Sequence, residues 1–256
     1  MKTAFNKVAT ITLWFWVLKI LATTLGETSG DLLAITLNLG YIAGLAIASS
    51  VLAVLLAAQL ASSRFRPALY WAAIVGTTTA GTEVSDLMDR TLHLGYLLGA
   101  AILATCLLST LGIWRLVEGE LRVSPIVARR RELFYWTAIL FSNSLGTAFG
   151  DFLSDSLGLG YISGAALTAA IIGVVVALHY TTRINGVALF WVAFVFTRPF
   201  GATFGDFLTK PTASGGLHFS TLTASAVAVM LMVIIIAATG RGDARRAQRH
   251  LRARSS

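Results

Sequence analysis

Eight of the twelve acidic residues fall in or just after four copies of one motif: a glycine, four residues, then an aspartate. The copies run Gly26–Asp31, Gly81–Asp86, Gly146–Asp151 and Gly201–Asp206, and each closes a long apolar run. Glu27 with Asp31, Glu83 with Asp86, and Asp151 with Asp155 are spaced to share a helix face, where like charges repel. A carboxylate beside hydrocarbon is costly, so each calls for a proton, a basic partner or a bound cation. Gathered on one axis, Asp31, Asp86, Asp151 and Asp206, with Glu27 and Glu83 deeper, form a set of hard oxygen ligands suited to Mg, Ca or Mn. Asn143 and the neighbouring threonines add neutral oxygens. Carboxylates along a pathway also carry protons. The plainer alternative is that each glycine permits a bend and each aspartate caps the next helix.

Two basic residues complicate the cation reading. Lys19 and Arg198 lie inside apolar runs, so each needs a counter-charge or a bound anion, and both would repel a permeant cation. Glu27 and Glu83 are the candidate partners of Arg198, which occupies the place of Thr23, Thr78 and Asn143 in the other copies. His93, seven residues after Asp86, is a further candidate beside Asp86 and Asp89.

The elements that must position these residues are membrane-spanning helices. Of 256 residues 56% are hydrophobic and only 12% charged, half the roughly 25% of soluble domains, and mean hydropathy is +0.75. Eight apolar stretches read as spans, at about 8–26, 38–60, 67–86, 93–114, 133–151, 159–180, 187–206 and 217–239. The first is too long for the hydrophobic part of a signal peptide. Sixteen of the twenty basic residues gather on one face, including Lys2, Arg129–Arg131 and the tail from Arg241, which places both termini in the cytoplasm. That clustering accounts for the net charge of +8 and makes nucleic acid unnecessary. The tail reads as an anchor to anionic lipid. A single cysteine excludes an intramolecular disulfide.

Internal repetition organises the chain. The motif glycines are 55, 65 and 55 residues apart, so the second half repeats the first at an offset of 120. Ten residues before each stands Trp16, Trp71, Trp136 or Trp191, preceded by Phe15, Tyr70, Tyr135 or Phe190. Ten residues after the aspartate come Tyr41, Tyr96 and Tyr161, inside Gly-Tyr-x-x-Gly steps that the fourth copy lacks. The expected fold is an all-α integral membrane protein of eight transmembrane helices, arranged as four parallel helical hairpins in two pseudo-symmetric halves. Residues 1–240 form one transmembrane domain, with repeats at about 8–60, 67–114, 133–180 and 187–239, and 241–256 a basic cytoplasmic tail.

The stretches LKILATTLGETSGD, GTAFGDFLSDSLGLGY and TRPFGATFGDFLTKP resemble a bacterial family of uncharacterised membrane-anchored proteins with four such hairpins, over the chain to about Gly240. The resemblance implies a fold and no activity. Hydrolase, nucleotide-binding and zinc-protease signatures are absent, so no enzyme and no cofactor is expected. The leading expectation is a secondary transporter of a manganese-like divalent cation in the bacterial inner membrane, with protons as one coupling ion. Asp31, Asp86, Asp151, Asp206, Glu27 and Glu83 are its metal ligands. Asn143, Arg198 and Lys19 complete the pathway. The alternatives are a carrier or channel for a small anionic or organic solute, recognised by Arg198 and Lys19, and a non-transporting scaffold or sensor. Assembly into a homo-oligomer is left open.

Overall fold

The computed structural model describes residues 6–254, with side chains through residue 240. Lys2 and the side chains of the basic tail from Arg241, expected to meet lipid, lie outside the described residues. The described chain is all-helical: α1 (Leu13–Asp31), α2 (Gly40–Ala61), α3 (Pro67–Asp86), α4 (Tyr96–Glu118), α5 (Arg129–Asp151), α6 (Tyr161–Thr181), α7 (Gly186–Thr209) and α8 (Thr221–Arg254). Local sequence sets several ends. Thr12 accepts from the Phe15 N–H and Asn185 from the Val187 N–H, each capping a first turn. Pro67 opens α3, where its missing N–H is harmless.

The odd and even helices differ in kind. Along α2, α4 and α6 only a thin stripe is buried, and apolar side chains such as Ile42, Val54, Leu97, Leu116, Ile162 and Val174 stand exposed. The odd helices bury most of their length, including many threonines. Those hydroxyls bond back to carbonyls three or four residues earlier, as Thr77 does to Ile74 and Thr82 to Thr78, which satisfies them away from water. Five helices are long and apolar enough to cross a membrane: α2, α4, α6, α7 and the Thr221–Gly240 part of α8. α1, α3 and α5 fall short on composition because they carry the polar interior.

The odd helices form a closed ring, α1 against α3, α3 against α5, α5 against α7 and α7 against α1. The expected hairpins do not form. Each even helix leaves its own repeat and packs on the inner helix of the next: α2 on α3, α4 on α5, α6 on α7, and α8 on α1. The repeats are thus interlocked in a circle of inner helices with a girdle of outer ones.

Glycine makes the ring close. A Cβ at Gly26 would run into Thr78, one at Gly81 into Asn143 and Ser144, one at Gly146 into Arg198, and one at Gly201 into Thr23. In each case the intruder is the residue three before the motif glycine of the following repeat, and the fourth contact returns to the first. The aromatic pairs follow the same circle: Phe15 with Trp71, Tyr70 with Trp136, Tyr135 with Trp191, and Phe190 with Trp16, at centroid distances of 5.6, 5.5, 6.5 and 5.7 Å. They plug one end of the ring.

The motif aspartates are not caps. Asp31, Asp86 and Asp151 keep helical backbone and make no capping bond. After each, the helix widens into a π turn, at Leu32–Thr36, Leu87–Thr91 and Phe152–Ser156. In the fourth repeat α7 instead runs on to Thr209 before Pro211 ends it. His93 is a turn residue: it has φ +53°, as Asn38 (+54°), Gly158 (+64°) and His218 (+56°) have in the corresponding connections.

The glycine contacts give a direct test. Gly26→Val forces α1 from α3 and lowers stability by about 1–3 kcal/mol. Gly112→Val, on α4 with open space around it, leaves the thermal midpoint near wild type. Equal midpoints for the two variants in a detergent melt would contradict the ring.

Candidate functional site

Each inner helix presents one residue per turn to the axis, at a spacing of four. On α1 these are Lys19, Thr23, Glu27 and Asp31; on α3, Ile74, Thr78, Thr82 and Asp86. On α5 they are Ile139, Asn143, Thr147 and Asp151; on α7, Phe194, Arg198, Ala202 and Asp206. Stacked, they form layers roughly 6 Å apart.

The three deeper layers hold the charges that break the symmetry. Lys19, fully buried, stands 3.9 Å over the Phe194 ring and donates to Asn143 Oδ1 across the ring at 2.6 Å. Asn143 in turn donates to Thr77 Oγ1 at 3.1 Å. Arg198, also fully buried, packs its stem on Gly146 and sends Nη2 to Glu27 Oε2 at 2.7 Å and across the axis to Thr82 Oγ1. Of the two glutamates expected as partners of Arg198, the structure pairs Glu27. Nε and Nη1 of Arg198 have no partner. Glu83 follows Thr82 on α3 and turns its carboxyl toward Gly44 of α2, and among the described residues neither of its oxygens has a hydrogen-bond partner.

The outer layer is bridged by two cations of the protein itself, against four aspartates. Lys210 Nζ lies 2.6 Å from Asp31 and 3.4 Å from Asp206. Arg90 lies 3.1 Å from Asp86, 3.9 Å from Asp151 and 3.6 Å from Asp155, which also accepts from the Tyr96 hydroxyl at 2.6 Å and the Ser154 hydroxyl at 3.2 Å. Burial works against the charge on both cations. For Arg90 the carboxylates of Asp86 and then Asp151 outweigh it, for Lys210 those of Asp206 and then Asp31, and both pKa values stand above their ordinary ones. Arg90 and Lys210 are 120 residues apart, so the two bridges are two-fold mates.

This arrangement revises the expected metal ring. The four aspartates do reach one end of the axis, but in two bridged pairs. Among the described residues, no group of three or more His, Cys, Asp or Glu converges to hold a metal ion. Sequence reasoning passed over Arg90 and Lys210 as loop charges. The signal was present: each follows its motif aspartate by four residues, the spacing of a helical ion pair.

The opposite end is sealed by more than aromatics. Tyr70 and Tyr135 join hydroxyls at 2.6 Å. Beneath them Lys7 forms a buried ion pair with Glu132, and Gln59 donates to both Glu132 Oε1 and the Lys7 carbonyl at 3.0 Å. The segment around Asn6 is tied to the α4–α5 loop through Ile126. A separate cleft of about 590 Å³ between α2 and α8, lined by residues such as Ile47, Val51, Val229 and Met232, is apolar and off the axis.

These features define a four-repeat, all-helical ring with a charged interior closed at both ends. The chain belongs to the family described as Repeat of Unknown Function (DUF347), whose model matches residues 14–65, 69–120, 134–185 and 189–241. Each match takes in one inner helix and the outer helix that follows it. No curated protein and no solved structure matches the chain.

The Lys210 bridge carries a stability prediction. Because the pKa of Lys210 is raised on folding, its contribution is whole below the ordinary lysine value and is lost only as pH rises through the raised one. Lys210→Met therefore lowers stability by about 1–3 kcal/mol for the stranded carboxylates, and with it the melting temperature, at every pH between about 6 and 9. A wild-type midpoint that the substitution leaves unmoved would show the bridge to be idle.

Proposed function

We propose that the protein is a bacterial inner-membrane carrier for a small anionic solute, with eight spanning helices and both termini in the cytoplasm. The apolar outer faces of the even helices and the one-sided distribution of arginine support the membrane setting. The site is the axis of the inner ring, between Lys19 and Arg198.

One observation carries this reading. Arg198 is fully buried and among the described residues leaves two of its nitrogens unpartnered, roughly one turn from a second buried cation, Lys19, whose only hydrogen-bond partner among them is a neutral amide. A buried cation with open N–H groups is costly unless an acceptor meets them. Arg198 offers the fork that carboxylates and other planar anions take.

The divalent-cation expectation fares less well on the same geometry. A cation on this axis faces two positive side chains, and the outer aspartates already serve Lys210 and Arg90. The outer bridges and the inner Lys7–Glu132 seal act as the two gates of an alternating carrier, both shut here.

Proteoliposomes loaded with a chloride-sensitive dye, or supplied externally with labelled formate and acetate, test the proposal. Wild type takes up at least one of these anions and leaves external manganese outside. Lys19→Met lowers the rate at least about tenfold. So does the pair Arg198→Ala with Glu27→Gln, which strands no charge. Manganese uptake without anion uptake would return the cation reading and end this one.

A further inference from the structure

Below the outer aspartates the axial charges do not balance, and Glu83 is where the balance can be restored. Lys19 and Arg198 bring two positive charges, and Glu27, paired with Arg198, brings one negative. Glu83 is 1% exposed, and both its oxygens lack partners. An ionised carboxylate in that position has nothing to hold it, so the closed ring accommodates the acid form. One positive charge is then unmatched.

Packing does not require a carboxyl at this position. Glu83 presses on Gly44 of α2, where an added Cβ would lie 2.6 Å from Oε2. Its two-fold mate, 120 residues on, is Thr203, which presses on Gly164 in the same way. The Thr203 hydroxyl is satisfied by the Pro199 carbonyl at 2.9 Å. A small, internally bonded side chain therefore fills the equivalent niche, and Glu83 puts an ionisable group there instead.

We propose that Glu83 is the coupling site of the carrier and that its carboxylate and the transported anion are alternative sources of the same missing negative charge. The inference rests on the anion-carrier reading and specifies its substrate and stoichiometry: a monoanion, accompanied by one proton. When Glu83 is ionised, the layers below the outer aspartates are neutral and an incoming anion meets no unmatched charge there. When Glu83 takes a proton from the aqueous phase, an O–H bond forms at its carboxyl, the net positive charge appears, and the anion binds. No bond in the anion breaks.

The groups around Glu83 are few. From α1 the carboxylates of Glu27 and Asp31 act on it, and from its own helix Asp86 does. Arg198 of α7 reaches the adjacent Thr82, and α2 contributes Gly44 with Tyr41 one turn before it. On α5, Asp151 belongs to the outer layer with Asp86, and Asn143 is neutral. Glu27 and the outer aspartates hold cations of their own; Glu83 holds none.

The test is titration calorimetry of the full chain in lipid nanodiscs with chloride, nitrate, formate and acetate, in buffers of differing ionisation enthalpy. Wild type is expected to take up about one proton per bound anion, and its affinity to fall about tenfold per pH unit once Glu83 ionises. Glu83→Gln and Glu83→Thr, the second copying the fourth repeat, are expected to bind with no proton uptake and a flat pH profile. Binding by wild type without proton uptake, or uptake that survives in Glu83→Thr, would overturn the coupling role and leave the anion carrier standing. No binding of any of the four anions by wild type or by either variant would overturn the carrier reading itself.

Discussion

Four side chains seated on four glycines set the distance between the inner helices, and the rest of the molecule follows from that distance. Thr78 on Gly26, Asn143 on Gly81, Arg198 on Gly146 and Thr23 on Gly201 bring backbones close enough to exclude water from the axis. A charge on that axis must find a partner inside the ring. Arg198 shows both halves of the constraint, since its stem is a packing knob and its guanidinium is the buried charge. The outer helices need no such fit and present apolar surface on most sides. They bind the ring by lying on the neighbouring repeat rather than on their own.

Duplication explains the outer layer, and divergence explains the interior. The bridges through Arg90 and Lys210 are related by the offset of 120 residues and tie each repeat to its neighbour across the mouth. The interior obeys no such rule. The two-fold mates of Lys19, Glu27 and Glu83 are Ile139, Thr147 and Thr203, and that of Arg198 is Thr78. Charges useful only to the fold would be expected in both halves. Each of these stands in only one half, which is why the proposed activity is placed among them and not in the motif aspartates.

Much of this was legible in the chain. The offset repeats, the tryptophan register and the series Thr23, Thr78, Asn143, Arg198 are all visible as spacings, and each became a layer of the ring. The partner of each outer helix was not legible. A helix that is apolar all round has no face to aim, so its neighbour is fixed by the curvature of the ring and not by its own pattern. The aspartates misled for a different reason. Their spacing from the glycines suggested ligands or caps, whereas the residues that settle their charge, Arg90 and Lys210, looked like ordinary loop cations. Glu83 was legible as a buried acid; that it lacks a partner appears only when its neighbours are in place.

An anion bound on the axis between Lys19 and Arg198 is the claim on which the account turns, and bromide can report it. Anomalous diffraction from crystals of the full chain grown in bromide should place a peak in contact with the Lys19 ammonium and the free Nε and Nη1 of Arg198. A bromide found only on the exposed basic surface, with the axis empty in wild type and in Glu83→Gln alike, would contradict the account.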